Sequence, residues 1–154
     1  MFKKIVLWIC VILLSAVIFG FSSENGEESS RFSEMIAEKI ADVVEATTDF
    51  FNIEDEGVFE KMHYIVRKGA HFTEFALLGI LSFLLAKSYD LSVKNSVIAA
   101  LSYCLLFAIC DEIHQLFVDG RVGSVTDVCI DFVGSCFGVA VFLIILCHKK
   151  AKKI

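Results

Sequence analysis

Long apolar runs alternate with short polar connections along the chain, and their lengths predict four membrane-spanning helices, at residues 5–21, 70–86, 95–110 and 125–147. A helix rises about 1.5 Å per residue against a hydrocarbon core of about 30 Å, so the first run, at about seventeen residues, is just long enough to cross. The third rises only about 24 Å. It must sit in thinned bilayer or carry Asp111 and Glu112 into the interfacial zone. The first follows Lys3 and Lys4, is longer than the apolar core of a typical signal peptide, and ends in a poor cleavage site, Gly20-Phe21-Ser22. An uncleaved anchor is expected.

Between the first two runs lies a polar segment, residues 22–67, with twelve of the nineteen acidic residues against four basic ones. Within it Phe32, Ile36, Ile40, Val43, Thr47 and Phe50 recur at steps of three and four, which predicts an amphipathic helix over residues 31–51 with Ser30 as its N-cap. Its polar face is acidic, and anionic lipid would repel that face. Either its apolar stripe covers the mouth of the bundle, or the helix is a solvated spacer. Lys3, Lys4, Lys87, Lys94 and the lysines from Lys149 onward all fall on one side of a four-span chain. The positive-inside rule makes that side cytoplasmic and predicts a multi-pass plasma-membrane protein with both termini inside.

Composition agrees with the pattern. The chain has 154 residues, 56% of them hydrophobic, with fifteen phenylalanines and no proline, which excludes an ordinary soluble domain. The expected fold is all-α, a single membrane domain over residues 1–154 whose helices pack side by side in lipid. Six cysteines lie in or beside apolar runs with no C-x-x-C pair, and read as small apolar fillers. Asp111, Glu112, His114, His71 and Asp131 match no standard ligand spacing, so neither a metal nor another cofactor is expected. His63 reads as a loop residue and His148 as part of the basic tail. The few basic residues stand where topology requires them, so nucleic acid is not an expected partner, whereas membrane lipid is.

One class of residue is out of place. An ionised side chain at membrane depth costs at least about 2.5 kcal/mol, so it normally faces a partner, a water-filled cavity or a ligand. Lys68, His71 and Glu74 fall at the outer end of the second span, Asp111 to Gln115 at that of the third, and Arg121 to Asp131 at the start of the fourth. All share one side. Helical spacing puts Lys68, His71 and Phe75 on one face with Glu74 adjacent, and repeats Asp127 and Asp131 at i and i+4. Gly120 and Gly123 bracket Arg121 in a tight turn, and Ser124-Val-Thr-Asp127 has the form of a capping box. If Asp127 is only a cap, the reactive set is His71, Glu112, Gln115, Arg121 and Asp131. Gly134 and Gly138 form a G-x-x-x-G pair, expected to serve packing within the chain rather than dimerisation.

In order and separation, Lys68-Gly-Ala-His71-Phe-Thr-Glu-Phe75, Asp111-Glu112-Ile-His-Gln115 and Gly120-Arg121-Val-Gly-Ser124-Val-Thr-Asp127-Val-Cys-Ile-Asp131-Phe-Val-Gly134 resemble the VanZ-like family of bacterial integral membrane proteins. The family's polar pattern maps onto Lys68, His71, Glu112, Gln115, Arg121 and Asp127. Asp119 stands where many members have proline, and Asp131 where asparagine is frequent. The resemblance implies a cell-envelope role connected with sensitivity to teicoplanin-like lipoglycopeptides. It gives no mechanism. One reading is recognition of, or chemistry on, an anionic envelope lipid or cell-wall precursor. Lys68 and Arg121 would hold phosphate or carboxylate oxygens, His71 and Glu112 would be an acid and base pair, and Gln115 would orient a hydroxyl or water, with Asp111, Ser124, Asp127 and Asp131 completing the site. His71 can equally be a hydrogen-bonded structural histidine, and Arg121 can form a buried ion pair with Glu112 or Asp127 that fixes helix register. The other readings are a noncatalytic envelope-surface protein acting through residues 31–51, and a proton or ion pathway.

Overall fold

Among the described residues there are four long helices: α1 (Phe2–Ser23), α2 (Glu56–Lys87), α3 (Val93–Gln115) and α4 (Val125–Ala151). The computed structural model describes residues 1–25, 31, 33–40 and 56–152, and among these there is no strand. Each helix holds a stretch long and apolar enough to cross a membrane, Phe2–Ser23, Tyr64–Lys87, Val93–Gln115 and Val125–Lys149. The protein is an all-α, multi-pass membrane bundle.

Hydrogen bonds between helices fix their directions. Trp8 Nε1 donates to Tyr89 Oη at 2.9 Å, Ser15 Oγ and Tyr103 Oη are 2.8 Å apart, and Ser22 Oγ donates to Asp111 Oδ2 at 2.6 Å. These rungs, seven residues apart on α1, make α1 parallel to α3. The buried residues of α1, Val11, Ser15, Ile18 and Ser22, follow the same 4-3-4 spacing and seat it against α2 and α3.

Along the other seam α2 and α4 run parallel and very close. A Cβ at Gly79 would lie 2.7 Å from the Ser135 carbonyl oxygen, and Cβ atoms at Gly134 and Gly138 would overlap the carbonyls of Phe72 and Ala76. Lipid tails are as apolar as the helices, so association depends on such close backbone packing. The G-x-x-x-G pair thus works within the chain. Phe75, Leu78, Leu85, Cys104 and Ala108 fill the centre with Val11 and Ile18, and Phe83, Ala100 and Val139 form a second cluster.

Two boundaries differ from the hydropathy reading. Helix α3 continues through Gln115 instead of ending at residue 110, because Asp111, Glu112 and Gln115 find partners inside the protein and need not leave the bundle. Its 23 residues span about 34 Å, so it is not short. Helix α2 begins at Glu56, well before its apolar span. In the connecting segment residues 33–40 are helical, within the expected 31–51. There Ser33 and Ala37 are buried while Ile40 is exposed, so the packed face is rotated from the expected stripe. Ser30 and residues 41–51 lie outside the described residues.

Candidate functional site

The end of the bundle opposite the termini gathers the polar side chains of all four helices. On α3, Asp111, Glu112 and Gln115 are buried. Gln115 Nε2 lies 3.2 Å from Asp111 Oδ2, 3.3 Å from Ser22 Oγ and 3.4 Å from Glu112 Oε1, tying α3 to α1. His114 stacks on Phe19 with ring centroids 4.1 Å apart, and its Nε2 is 3.0 Å from Ser23 Oγ.

Glu112 has a different task from the one expected of a proton-transfer group. Its Oε2 accepts the Ser124 backbone N–H at 2.7 Å, while Ser124 Oγ accepts from the Thr126 N–H at 3.2 Å. A capping box would use the carboxylate three residues into the helix, Asp127, for the first of these bonds. Here α3 supplies that carboxylate. Asp127 instead pairs with Lys68 Nζ across the α2–α4 seam, so it is more than a cap and Lys68 is committed to it. Gly123 permits the close approach, since a Cβ there would lie 2.6 Å from the Glu112 carbonyl oxygen.

Arg121 forms neither of the ion pairs expected of it. Gly120, at φ 73°, turns the loop so that the buried guanidinium reaches the C-terminal end of α1. Its Nε donates to the Glu24 carbonyl at 2.9 Å and its Nη2 to the Phe21 carbonyl at 2.6 Å, satisfying acceptors that a helix end leaves unpaired. Burial pulls its pKa below the usual arginine value and nearby Arg67 adds to that, while Asp111, Glu24 and Glu112 oppose it.

Behind this layer lies a group without such partners. Asp131 is fully buried, and neither carboxyl oxygen has a hydrogen-bond partner among the described residues. Across the seam His71 Nδ1 stands 3.7 Å from Oδ1, beyond hydrogen-bond length. His71 Nδ1 and Asp111 Oδ1 are likewise buried and unpaired. Buried polar atoms without partners each cost about 1–3 kcal/mol. Replacing Asp131 by asparagine removes a carboxyl group crowded by Glu112, Asp111, Asp127 and Glu74, and adds an amide donor beside the unpaired His71 Nδ1. The expected result is a gain of about 1–3 kcal/mol, read from thermal unfolding in detergent. A lower melting temperature for Asp131→Asn would mean that the carboxyl group is held by contacts this geometry lacks.

A cavity of about 100 Å³ opens beside this group. Helix α2 lines it with Arg67, His71 and Glu74, the loop with Arg121, and α1 with Phe21 and Glu24, while Ser33 and Ile36 cover it from the connecting segment. Of the residues given a role in the site from sequence, His71 and Arg121 line this space, together with Glu74, which helical spacing put beside them. Lys68, Glu112, Gln115, Asp127 and Ser124 build its supporting frame, and Asp111 and Asp131 lie buried within that frame. Arg67 was not anticipated, and its Nε is buried without a hydrogen-bond partner. The signal was present as the face Arg67, His71, Glu74, at i, i+4 and i+7, one residue around the helix from the face beginning at Lys68. Among the described residues no group of three or more histidine, cysteine or acidic side chains is arranged to hold a metal ion.

No curated protein and no solved structure gives a significant match to the chain. A family model described as VanZ/LLP1 matches residues 7–146, which covers most or all of each span and every residue of the polar end, and the chain accordingly belongs to the VanZ/LLP1 family.

Proposed function

We propose that the cavity binds the anionic head group of an amphiphilic envelope molecule, a lipid or lipid-linked cell-wall precursor, from the outer leaflet of the bacterial plasma membrane. The observation that carries this reading is Arg67, a half-buried guanidinium in the cavity wall whose buried Nε has no hydrogen-bond partner among the described residues. Burying a charged donor unpaired is unfavourable, and a phosphate or carboxylate oxygen would satisfy it. His71 and Arg121 line the same space and add donors. Its volume suits a head group, which leaves the tail in the surrounding lipid.

The lysine distribution supports this placement. Lys3, Lys4, Lys87, Lys94 and Lys149 belong to the end opposite the cavity, and the positive-inside rule puts that end in the cytoplasm. For a member of this family, occupancy of such a site by an envelope precursor also offers a route to altered teicoplanin sensitivity. Glu112 is engaged as a helix cap, so any proton transfer is assigned to His71 with Asp131 behind it. The helical residues 33–40 fit a cover better than a free interaction surface, because Ala37 is fully buried and Ile36 lines the cavity.

The reading is tested by equilibrium binding of farnesyl phosphate to the detergent-solubilised chain. Arg67→Gln is expected to weaken binding about 10- to 150-fold, the equivalent of one charge-assisted hydrogen bond, with the melting temperature unchanged or raised. His71→Ala should weaken it less. Unaltered binding in both variants would remove the cavity from consideration as a head-group site.

A further inference from the structure

We propose that a second cavity, at the terminal end of the bundle, is a binding site for one acyl chain of an anionic phospholipid whose head group lies over Lys4 and Lys87. The cavity measures about 240 Å³ and opens between α1, α2 and α3, about 20 Å along α2 from Arg67 and His71 by the helical rise. Its walls are almost entirely apolar, built from Val11, Leu85, Ala86 and Ala100. Water needs two to four polar partners to occupy such a space. Trp8, Tyr89 and Tyr103 engage theirs with Tyr89, Trp8 and Ser15, which leaves the Ser82 hydroxyl as a single polar group in an otherwise apolar wall. An apolar cavity of about 150 Å³ takes up a benzene ring, so this one accommodates a length of hydrocarbon chain.

The rim identifies the head group. Trp8 and Tyr89, both lining residues, are joined by the 2.9 Å hydrogen bond from Nε1 to Oη, and paired aromatic residues of this kind sit at the level of lipid head groups. Lys4 Nζ stands 4.5 Å over the Tyr89 ring, and Lys87 Nζ donates to the carbonyl of Leu91, which also lines the cavity. Two ammonium groups are therefore anchored on the residues that frame the opening. Lys3 and Lys94 add charge of the same sign at this end. Each lysine near an anionic head group contributes about 1 kcal/mol, so the pair should select an anionic over a zwitterionic lipid.

Trp8 is the chain's single tryptophan and reports on the cavity without labelling. The full chain is reconstituted in phosphatidylcholine vesicles, and its fluorescence is followed as acyl-brominated phosphatidylglycerol or acyl-brominated phosphatidylcholine replaces the host lipid. The brominated phosphatidylglycerol is expected to quench with saturation at low mole fraction, whereas brominated phosphatidylcholine quenches only in proportion to its abundance. Lys4→Gln and Lys87→Gln lie at the surface, and each should reduce the preference about fivefold. Ala100→Phe fills the cavity and should abolish the saturating phase. Equal quenching by the two lipids overturns the proposal, because it describes the ordinary lipid belt. A preference surviving both lysine substitutions overturns it as well, and so does a Trp8 signal that neither lipid quenches, which indicates a cavity covered by another chain.

Discussion

Gly138→Val is expected to prevent assembly of the bundle. A Cβ at this position would overlap the Ala76 carbonyl group and Cα, which are main chain and have no rotamer to move away. Helices α2 and α4 must separate instead, and the Gly79 contact with Ser135 and the Gly134 contact with Phe72 lie on the same seam. Ordinary overpacking costs about 1–3 kcal/mol, with larger values where nothing can give. A loss above about 3 kcal/mol is a large part of a domain's usual 5–15 kcal/mol. Size-exclusion chromatography in detergent should show aggregate, and a surviving fraction should melt far below the parent. Gly69→Ala is the control, because nothing lies within 4 Å of a Cβ there. A monodisperse Gly138→Val protein with the parental melting temperature would mean that α2 and α4 do not pack in this register.

That seam matters to more than stability. With Gly134 against Phe72 and Gly138 against Ala76, Lys68 falls opposite Asp127 and His71 opposite Asp131. A displacement of α4 by one turn, about 5.4 Å, would leave both acids without their neighbours on α2. The glycines therefore fix the geometry of the polar end from a distance.

Much of this was legible in the sequence because the relevant signals are local. Hydropathy located the four spans, helical spacing put His71, Asp111, Arg121 and Asp131 at one end, and Gly134 with Gly138 announced a close helix contact. The pairing of polar groups was not legible, because partners come from different helices. Ser124-x-x-Asp127 has the local form of a capping box, and only the packed bundle reveals that Glu112 takes the capping bond. Arg121 was read against carboxylates, since acids are visible as letters. Its actual acceptors are the carbonyls of Phe21 and Glu24, which every residue carries and no residue type advertises. The end of α3 was misplaced for a related reason. Hydropathy marks where polar residues begin, and that coincides with a helix end only when those residues lack partners inside the protein.

Arg121→Ala is expected to cost about 3–6 kcal/mol, the worth of two charge-assisted hydrogen bonds at about 1.5–3 kcal/mol each, and to abolish farnesyl phosphate binding in the same protein. The guanidinium is buried, bridges the carbonyls of Phe21 and Glu24 at the end of α1 and forms part of the cavity wall, so its removal strips two hydrogen bonds from that end and opens the cavity. Helix α1 retains Ser22, Ser15 and Trp8 as attachments to α3 and to the turn that precedes it, and unfolding should therefore begin with its C-terminal turns. Arg121→Lys separates the two effects. An ammonium group keeps a positive charge in the wall but lacks the planar fork that spans Glu24 and Phe21, so roughly half the stability loss should remain while binding falls only severalfold. Denaturant titration followed by circular dichroism measures the first quantity, and the phosphate titration measures the second. An alanine variant as stable as the parent would show that Arg121 does not hold α1, and a lysine variant that binds no phosphate would assign recognition to the fork itself rather than to charge.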